Sequence, residues 1–290
     1  MHTIWQLTKR SNRLFFRDKT AVFMSLLSIG IIIMLYLLFL ADVTTETAQE
    51  AATGASGMKA LIQSWLLAGI IVVISLTVTL SVLGTMIEDA ASNQLHALLI
   101  TPITRTQLVV GYLLSAWFIA VLFSVSSLFL AQGYFWLTDK PTVAWDGLLT
   151  ASGLIMLITF SSAAFLFVLL APIKSRKSFS SLGTIVGTLS GFLLGIYIPI
   201  GQLPSFVQEI TKFFPPAYGV AALRDVLMTP SMTDTFAGAP AAALDSFKDT
   251  FGVHITLFNS TAQLPVILGI LLLTGIIFLS LGVWLRSARM

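Results

Sequence analysis

Six stretches of this chain contain no Asp, Glu, Lys or Arg: Thr20 to Ala41, Ser64 to Ile87, Thr106 to Leu137, Gly147 to Ile173, Ser178 to Ile200 and Leu264 to Leu285. A helix needs about 20 apolar residues to cross a hydrocarbon core about 30 Å thick, and each run is long enough. Membrane β-strands would be about ten residues long and alternate apolar with polar, whereas these runs are uniformly apolar. The expected fold is therefore an all-α membrane protein with six transmembrane helices. With 10% charged residues and a mean hydropathy of +0.92, the chain could not surround a soluble core of its length with a charged surface.

An even number of spans puts both termini on one side, and Lys and Arg choose the side. With the termini in the cytoplasm, the inner segments hold Lys9, Arg10, Arg13, Arg17, Lys19, Arg105, Lys174, Arg176, Lys177, Arg286 and Arg289. The outer segments hold only Lys59, Lys140, Lys212, Arg224 and Lys248. We therefore expect a multi-pass protein of the cell membrane with cytoplasmic ends. The basic residues lie between apolar segments and form no long run, so the net charge of +3 reports orientation rather than nucleic-acid binding.

Two domains follow. Residues 1–19 show helical periodicity, with Ile4, Leu7, Leu14 and Phe15 on one face and Lys9, Arg10, Arg13 and Arg17 mostly opposite. Such a helix lies on the inner leaflet as an anchor or a partner contact. Residues 20–290 form the six-span domain, with a cytoplasmic loop at 88–105 and an outer region at 201–263. In the loop, Glu88 and Asp89 precede a short helix with Leu95, Leu98 and Leu99 on one side and Gln94 and His96 elsewhere, ended by Pro102. It suits docking into a groove of a soluble partner or, standing alone, a solvated hairpin turn.

Outside, Pro204 and the Pro215–Pro216 pair divide Gly201 to Met228 into pieces of about ten residues, too short to span. They read as two short re-entrant or interfacial helices, either part of a mouth or a surface cap. Thr229 to Gln263 reads as a lid or cap, with Phe247, Phe251 and Phe258 as its apolar contacts. In the fifth span, Gly183, Gly187, Gly191 and Gly195 form an i+4 stripe that allows close helix packing, within one subunit or between two.

The acidic end of a span, a short helix and Leu98-Leu99-Ile100-Thr101-Pro102-Ile103 leading into the next span resemble the permease subunits of type-two ATP-binding-cassette exporters. So do Pro199 and Pro204 followed by Pro215, Pro216, Tyr218, Arg224 and Asp225. The sequence departs from that pattern at Ala91, Ser92 and Asn93, where the family often carries an acidic residue and a Gly-Thr pair. The resemblance covers the entry helix, six spans, loop and outer helices in order. It implies that Glu88, Asp89, Gln94, Leu95, His96, Leu98, Leu99 and Pro102 couple to a cytoplasmic ATPase. It further implies that Pro199, Pro204, Pro215, Pro216, Tyr218, Arg224 and Asp225 belong to an outer gate, and that the glycine stripe lies near a second copy or a homologous permease.

The chain carries no Gly-x-x-x-x-Gly-Lys-Ser/Thr, so ATP and magnesium are expected on a separate subunit and no cofactor on this one. The spans hold no ionisable Asp, Glu, His or Arg of the kind an ion-coupled carrier uses. His2, His96 and His254 are far apart, without metal-ligand spacing, and Ser161 and Ser162 lack an adjacent base. No catalytic residue and no metal are expected. By elimination the cargo is amphipathic or lipid-like, such as a hydrophobic antibiotic, in contact with membrane lipid. The competing reading is an ATPase-independent carrier or assembly protein.

Overall fold

A backbone in hydrocarbon must satisfy its own N–H and C=O groups, and the apolar runs accordingly fold as helices. The computed structural model describes residues 2–20, 22–23, 27, 30, 55–92, 94, 103–138, 142–257 and 260–289. Its helices are α1 (His2–Arg17), α2 (Ala55–Ala91), α3 (Arg105–Leu137), α4 (Trp145–Leu170) and α5 (Arg176–Leu193). They are followed by α6 (Ser205–Lys212), α7 (Pro215–Thr235), α8 (Ala241–Thr250) and α9 (Leu264–Arg289). A two-residue antiparallel hairpin pairs Thr256–Leu257 with Ser260–Thr261.

Among the described residues four helices are long and apolar enough to cross a membrane: Ala60–Ala91, Arg105–Leu137, Trp145–Leu170 and Leu264–Leu285. These match the second, third, fourth and sixth expected spans. Most of the first, 20–41, lies outside the described residues. The fifth departs from expectation. Helix α5 has 18 residues, about 27 Å at 1.5 Å each, and stops at Leu193 rather than Ile200. The run of apolar residues continues, but the backbone turns back at Gly195.

Helices α2 and α3 lie against each other and α4 closes onto α3, where Gln132 Oε1 accepts the Val143 N–H at 3.1 Å. At the start of α3, Thr104 Oγ1 accepts the Gln107 N–H and Gln107 Oε1 accepts the Thr104 N–H, a reciprocal cap that fixes where the helix begins. Hydroxyls within the helices donate mostly to carbonyls one turn back, as Thr77, Ser127 and Ser152 do. Ser161 instead meets Thr274 of α9 at 3.1 Å.

The two helices expected between Gly201 and Met228 differ in length. Helix α6 has 8 residues, but α7 has 21. Pro215 and Pro216 sit in its first turn, where their missing N–H groups would be unsatisfied anyway, and Pro230 is accommodated inside it. Helix α7 runs antiparallel to α4: Val226 lies near Gly147, Ile158 against Gly219, and the rings of Phe214 and Phe165 are 5.5 Å apart. Phe165 is roughly 30 Å along α4 from Trp145 at 1.5 Å per residue, so α7 runs along most of α4, packed between α2, α4 and α9.

Candidate functional site

Two clusters stand at opposite ends of α2. Near its C-terminal end, the Arg10 guanidinium donates to Asp89 Oδ2 at 2.9 Å and to the Tyr112 hydroxyl at 3.4 Å, and the Tyr112 O–H donates to the same carboxylate oxygen. Asp89 is 6% exposed. Burial lowers the pKa of Arg10, but the hydrogen bond and charge of Asp89 outweigh it and the net direction is up. Further along α1, Thr8 donates to Gly111 O at 3.3 Å and Asn12 Oδ1 accepts from Ser115 at 2.5 Å. The rings of Phe15 and Phe123 meet edge to face at 6.2 Å.

The buried face of α1 is thus Leu7, Thr8, Ser11 and Phe15, turned toward α3. Of the expected apolar face, Leu7 and Phe15 are buried and Ile4 and Leu14 half-buried. The mixed apolar and hydroxyl face of α1 suits a protein surface, where the Thr8 hydroxyl finds Gly111 O. Trp5 and Phe16 point away, 64% and 45% exposed. Among the coupling candidates, Glu88 and Gln94 are exposed, Asp89 is tied inward, and Leu95, His96, Leu98, Leu99 and Pro102 lie outside the described residues.

At the other end, Arg224 of α7 is fully buried. Its Nη2 donates to Leu194 O at 2.9 Å and Gly195 O at 3.1 Å, and its Nη1 to Phe251 O at 3.1 Å and Gly252 O at 3.5 Å. The guanidinium carbon lies 4.9 Å from the centre of the Trp65 ring, and the Trp65 indole N–H also donates to Phe251 O at 2.8 Å. The Phe251 ring meets Trp65 edge to face and stacks on Phe247, which is tilted against Phe236 at the end of α7; Phe258 lies outside the described residues.

These carbonyls are the ends of two helices finished in the same way. After α5, the Gly195 N–H bonds Phe192 O and the Ile196 N–H bonds Gly191 O. After α8, the Gly252 N–H bonds Asp249 O and the Val253 N–H bonds Lys248 O. Both are Schellman caps, with glycine in the left-handed region at φ 64° for Gly195 and 65° for Gly252. Each terminus carries about half a negative charge, so two of them together balance one guanidinium without a carboxylate. An arginine keeps its proton at neutral pH, so the charge persists although the side chain is buried.

Alanine at either cap glycine is expected to cost about 1–2 kcal/mol in left-handed strain alone. At Gly195 the new Cβ also meets Ile200 Cγ1 at 2.5 Å, and at Gly252 it meets Ile200 Cδ1 at 2.9 Å and Arg224 Nη1 at 3.1 Å. Thermal unfolding in detergent should show both substitutions lowering Tm, and a Gly252→Ala protein as stable as the parent would disprove this account of the cap.

The remaining candidates are spread over this end. Pro215, Pro216 and Tyr218 are buried, Asp225 and Pro204 are exposed, and Pro199 is half-buried. The Tyr218 hydroxyl donates to Lys212 O at 2.8 Å, tying α7 to the end of α6. The glycine stripe does not form one continuous seam within the chain. Gly183 faces Leu80 of α2, a Cβ on Gly187 would meet nothing within 4 Å, the Tyr197 ring covers Gly191, and Gly195 is the cap. Trp65 and the cap carbonyls escaped sequence reasoning; only Gly195 and Gly252, each placed where a helix could end, could have signalled them.

Four long apolar helices able to cross a bilayer define a polytopic membrane protein. Residues 44–284 match the model of the family described as ABC-2 family transporter protein, and the chain belongs to that family. It is also 34% identical over 86 residues to Nodulation protein J of Rhizobium meliloti (strain 1021), covering 29% of this chain and 32% of the relative. The chain thus spans about a third of the length of the curated relative it matches.

Proposed function

We propose that this chain is the permease subunit of an ATP-binding-cassette exporter, moving an amphipathic or lipid-like molecule, such as a hydrophobic antibiotic, out of the cell. The observation that carries the reading is the family match together with the latch at one end of the bundle. Arg10, Asp89 and Tyr112 join the entry helix to the two helices flanking the 88–105 loop, so a force applied to that loop reaches α1, α2 and α3 together. Cytoplasmic ATPase subunits dock there through Leu95, Leu98 and Leu99, and bind ATP and magnesium. Both termini are cytoplasmic and the protein resides in the cell membrane. A second copy or a homologous permease packs against α5, where Ile185, Leu189 and Phe192 are exposed beside the open Gly187.

In this reading ATPase closure tilts α2 and α3, and the pathway opens outward near Pro199 to Asp225. The uncharged spans leave no residue to carry a proton, which favours ATP over an ion gradient. The test is recovery of an ATPase subunit with the tagged chain from native membranes. We expect Leu95→Asp with Leu98→Asp to reduce that recovery about tenfold or more at unchanged expression, because burying a charge in a docking groove is costly. Recovery of no ATPase with the unsubstituted chain would leave the ATPase-independent carrier or assembly protein as the reading.

A further inference from the structure

Between α6 and the end of α8 lies a cleft of about 330 Å³. Gln208, Thr211 and Lys212 of α6 line one wall, and Gly201, Asp249 and His254 are among the residues lining the other. The second wall belongs to the frame that Arg224 ties together, the α8 end through Phe251 and Gly252 and the α5 end through Leu194 and Gly195. Gly201 abuts the Thr250 backbone, so the loop after α5 closes onto α8.

The two walls carry opposite charges. Lys212 brings an ammonium from α6 and Asp249 a carboxylate from α8. Lys212 Nζ lies 2.6 Å from Glu209 Oε1, an exposed i,i+3 pair that holds the ammonium only weakly. His254 Nδ1 lies 3.2 Å from Asp249 Oδ1, which leaves Oδ2 as an acceptor. Gln208 spends one amide N–H on Leu203 O at 2.8 Å and keeps a second N–H to donate. The cleft therefore offers donors on one side and a carboxylate on the other.

Its depth follows from α2. The apolar stretch Ala60–Ala91 has 32 residues, about 48 Å at 1.5 Å each. A hydrocarbon core is about 30 Å thick, so the first turns of this stretch lie among headgroups. Trp65 stands there and donates to Phe251 O, which sets the end of α8 and the cleft at the same depth. On α6, Phe206, Ile210 and Phe213 are exposed on the face opposite Gln208, Thr211 and Lys212, so one face meets acyl chains while the other lines the cleft.

We propose that this cleft binds the phosphoethanolamine headgroup of a membrane lipid, its phosphate on Lys212 and Gln208, its ammonium on Asp249 and its acyl chains along the apolar face of α6. Charge selects the class. An anionic headgroup without an amine leaves Asp249 unpaired beside a phosphate, and a choline headgroup has no N–H to give the carboxylate. The lipid is a resident ligand rather than cargo, and its binding needs neither an ATPase nor a transport step.

The full-length chain in detergent is incubated with dioleoyl lipids that differ only in headgroup, and bound lipid is counted by native mass spectrometry. Phosphatidylethanolamine is expected to bind about tenfold or more tighter than phosphatidylglycerol or phosphatidylcholine, the effect of one charge-assisted hydrogen bond. Asp249→Asn should cut the preference for ethanolamine over glycerol about tenfold, and Lys212→Gln should weaken both lipids by about as much. Glu209→Gln frees Lys212 and should bind phosphatidylethanolamine at least as tightly as the parent, which a purely structural role for the pair does not predict. Glycerophosphoethanolamine, the same group without chains, should compete only at about a hundredfold excess or more. Equal binding of the three lipids by the unsubstituted chain would overturn the proposal even where a variant fails to fold. So would an Asp249→Asn protein that keeps the parent's preference, or the chainless compound competing at equal concentration. A failed ATPase recovery and a failed lipid preference are separate results.

Discussion

Replacing Arg224 with methionine is expected to destabilise the protein by about 3–5 kcal/mol, the cost of breaking a buried charged network from one side. Methionine fills much of the space but donates nothing, so the carbonyls of Leu194, Gly195, Phe251 and Gly252 lose their shared donor where water does not reach. The two helix ends, each partly negative, would then face one another without a cation between them. In a chain of this size the loss corresponds to a fall in Tm on the order of 10 °C, readable by thermal unfolding in detergent. Arg224→Lys should recover part of it, because an ammonium restores the charge but lacks the planar fork that reaches two helix ends at once. A methionine variant melting with the parent would show that the network does not hold this end together.

The second large effect is expected at the other end. Asp89→Ala leaves the Arg10 guanidinium and the Tyr112 hydroxyl without their shared acceptor, and should weaken the docking of α1 by about 2–3 kcal/mol, since Arg10 keeps some access to water. The consequence is local. Lys9, Arg13 and Arg17 are exposed, so trypsin applied to inside-out vesicles should cut within α1 of the variant roughly 30-fold or more faster, if cleavage follows the opened population. Arg10→Met alone should behave similarly, and the double variant should be no worse than the sum, with a coupling of about 1 kcal/mol or more between the two positions. Equal cleavage of parent and Asp89→Ala would remove the latch from the mechanism, because α1 would then be held by its apolar face alone.

Much of the bundle is legible before folding. The charge-free runs mark α2, α3, α4 and α9 to within a few residues at most ends, because hydrocarbon tolerates no other way of satisfying a long apolar backbone. The Pro215–Pro216 pair marks the start of α7. It does not report its length, since proline at a helix start carries no information on where the helix ends and Pro230 fails to break it. The fifth run misleads for a related reason. Hydropathy counts residues such as Ile196, Tyr197 and Ile198 as if they continued the helix, whereas Gly195 has already reversed the chain.

The candidate sites divide in the same way. Asp89 stands out in sequence as an acid at the end of a span, but its partners Arg10 and Tyr112 come from positions 79 residues before it and 23 after it. Only packing shows that it binds inward instead of standing free for a docking partner. Arg224 likewise stands out as a cation among apolar neighbours, and its partners are main-chain carbonyls, which every residue possesses and which no side-chain pattern can announce.

By itself the sequence determined that this chain is a membrane protein and roughly where four of its long apolar helices lie. Those properties follow from the free energy of transferring residues to hydrocarbon, which is local and additive along the chain. Which groups meet was decided by the tertiary structure. The Arg10 latch and the Arg224 frame exist because distant segments bring opposite charges and helix ends within hydrogen-bond distance, and that proximity is a property of the packed chain alone.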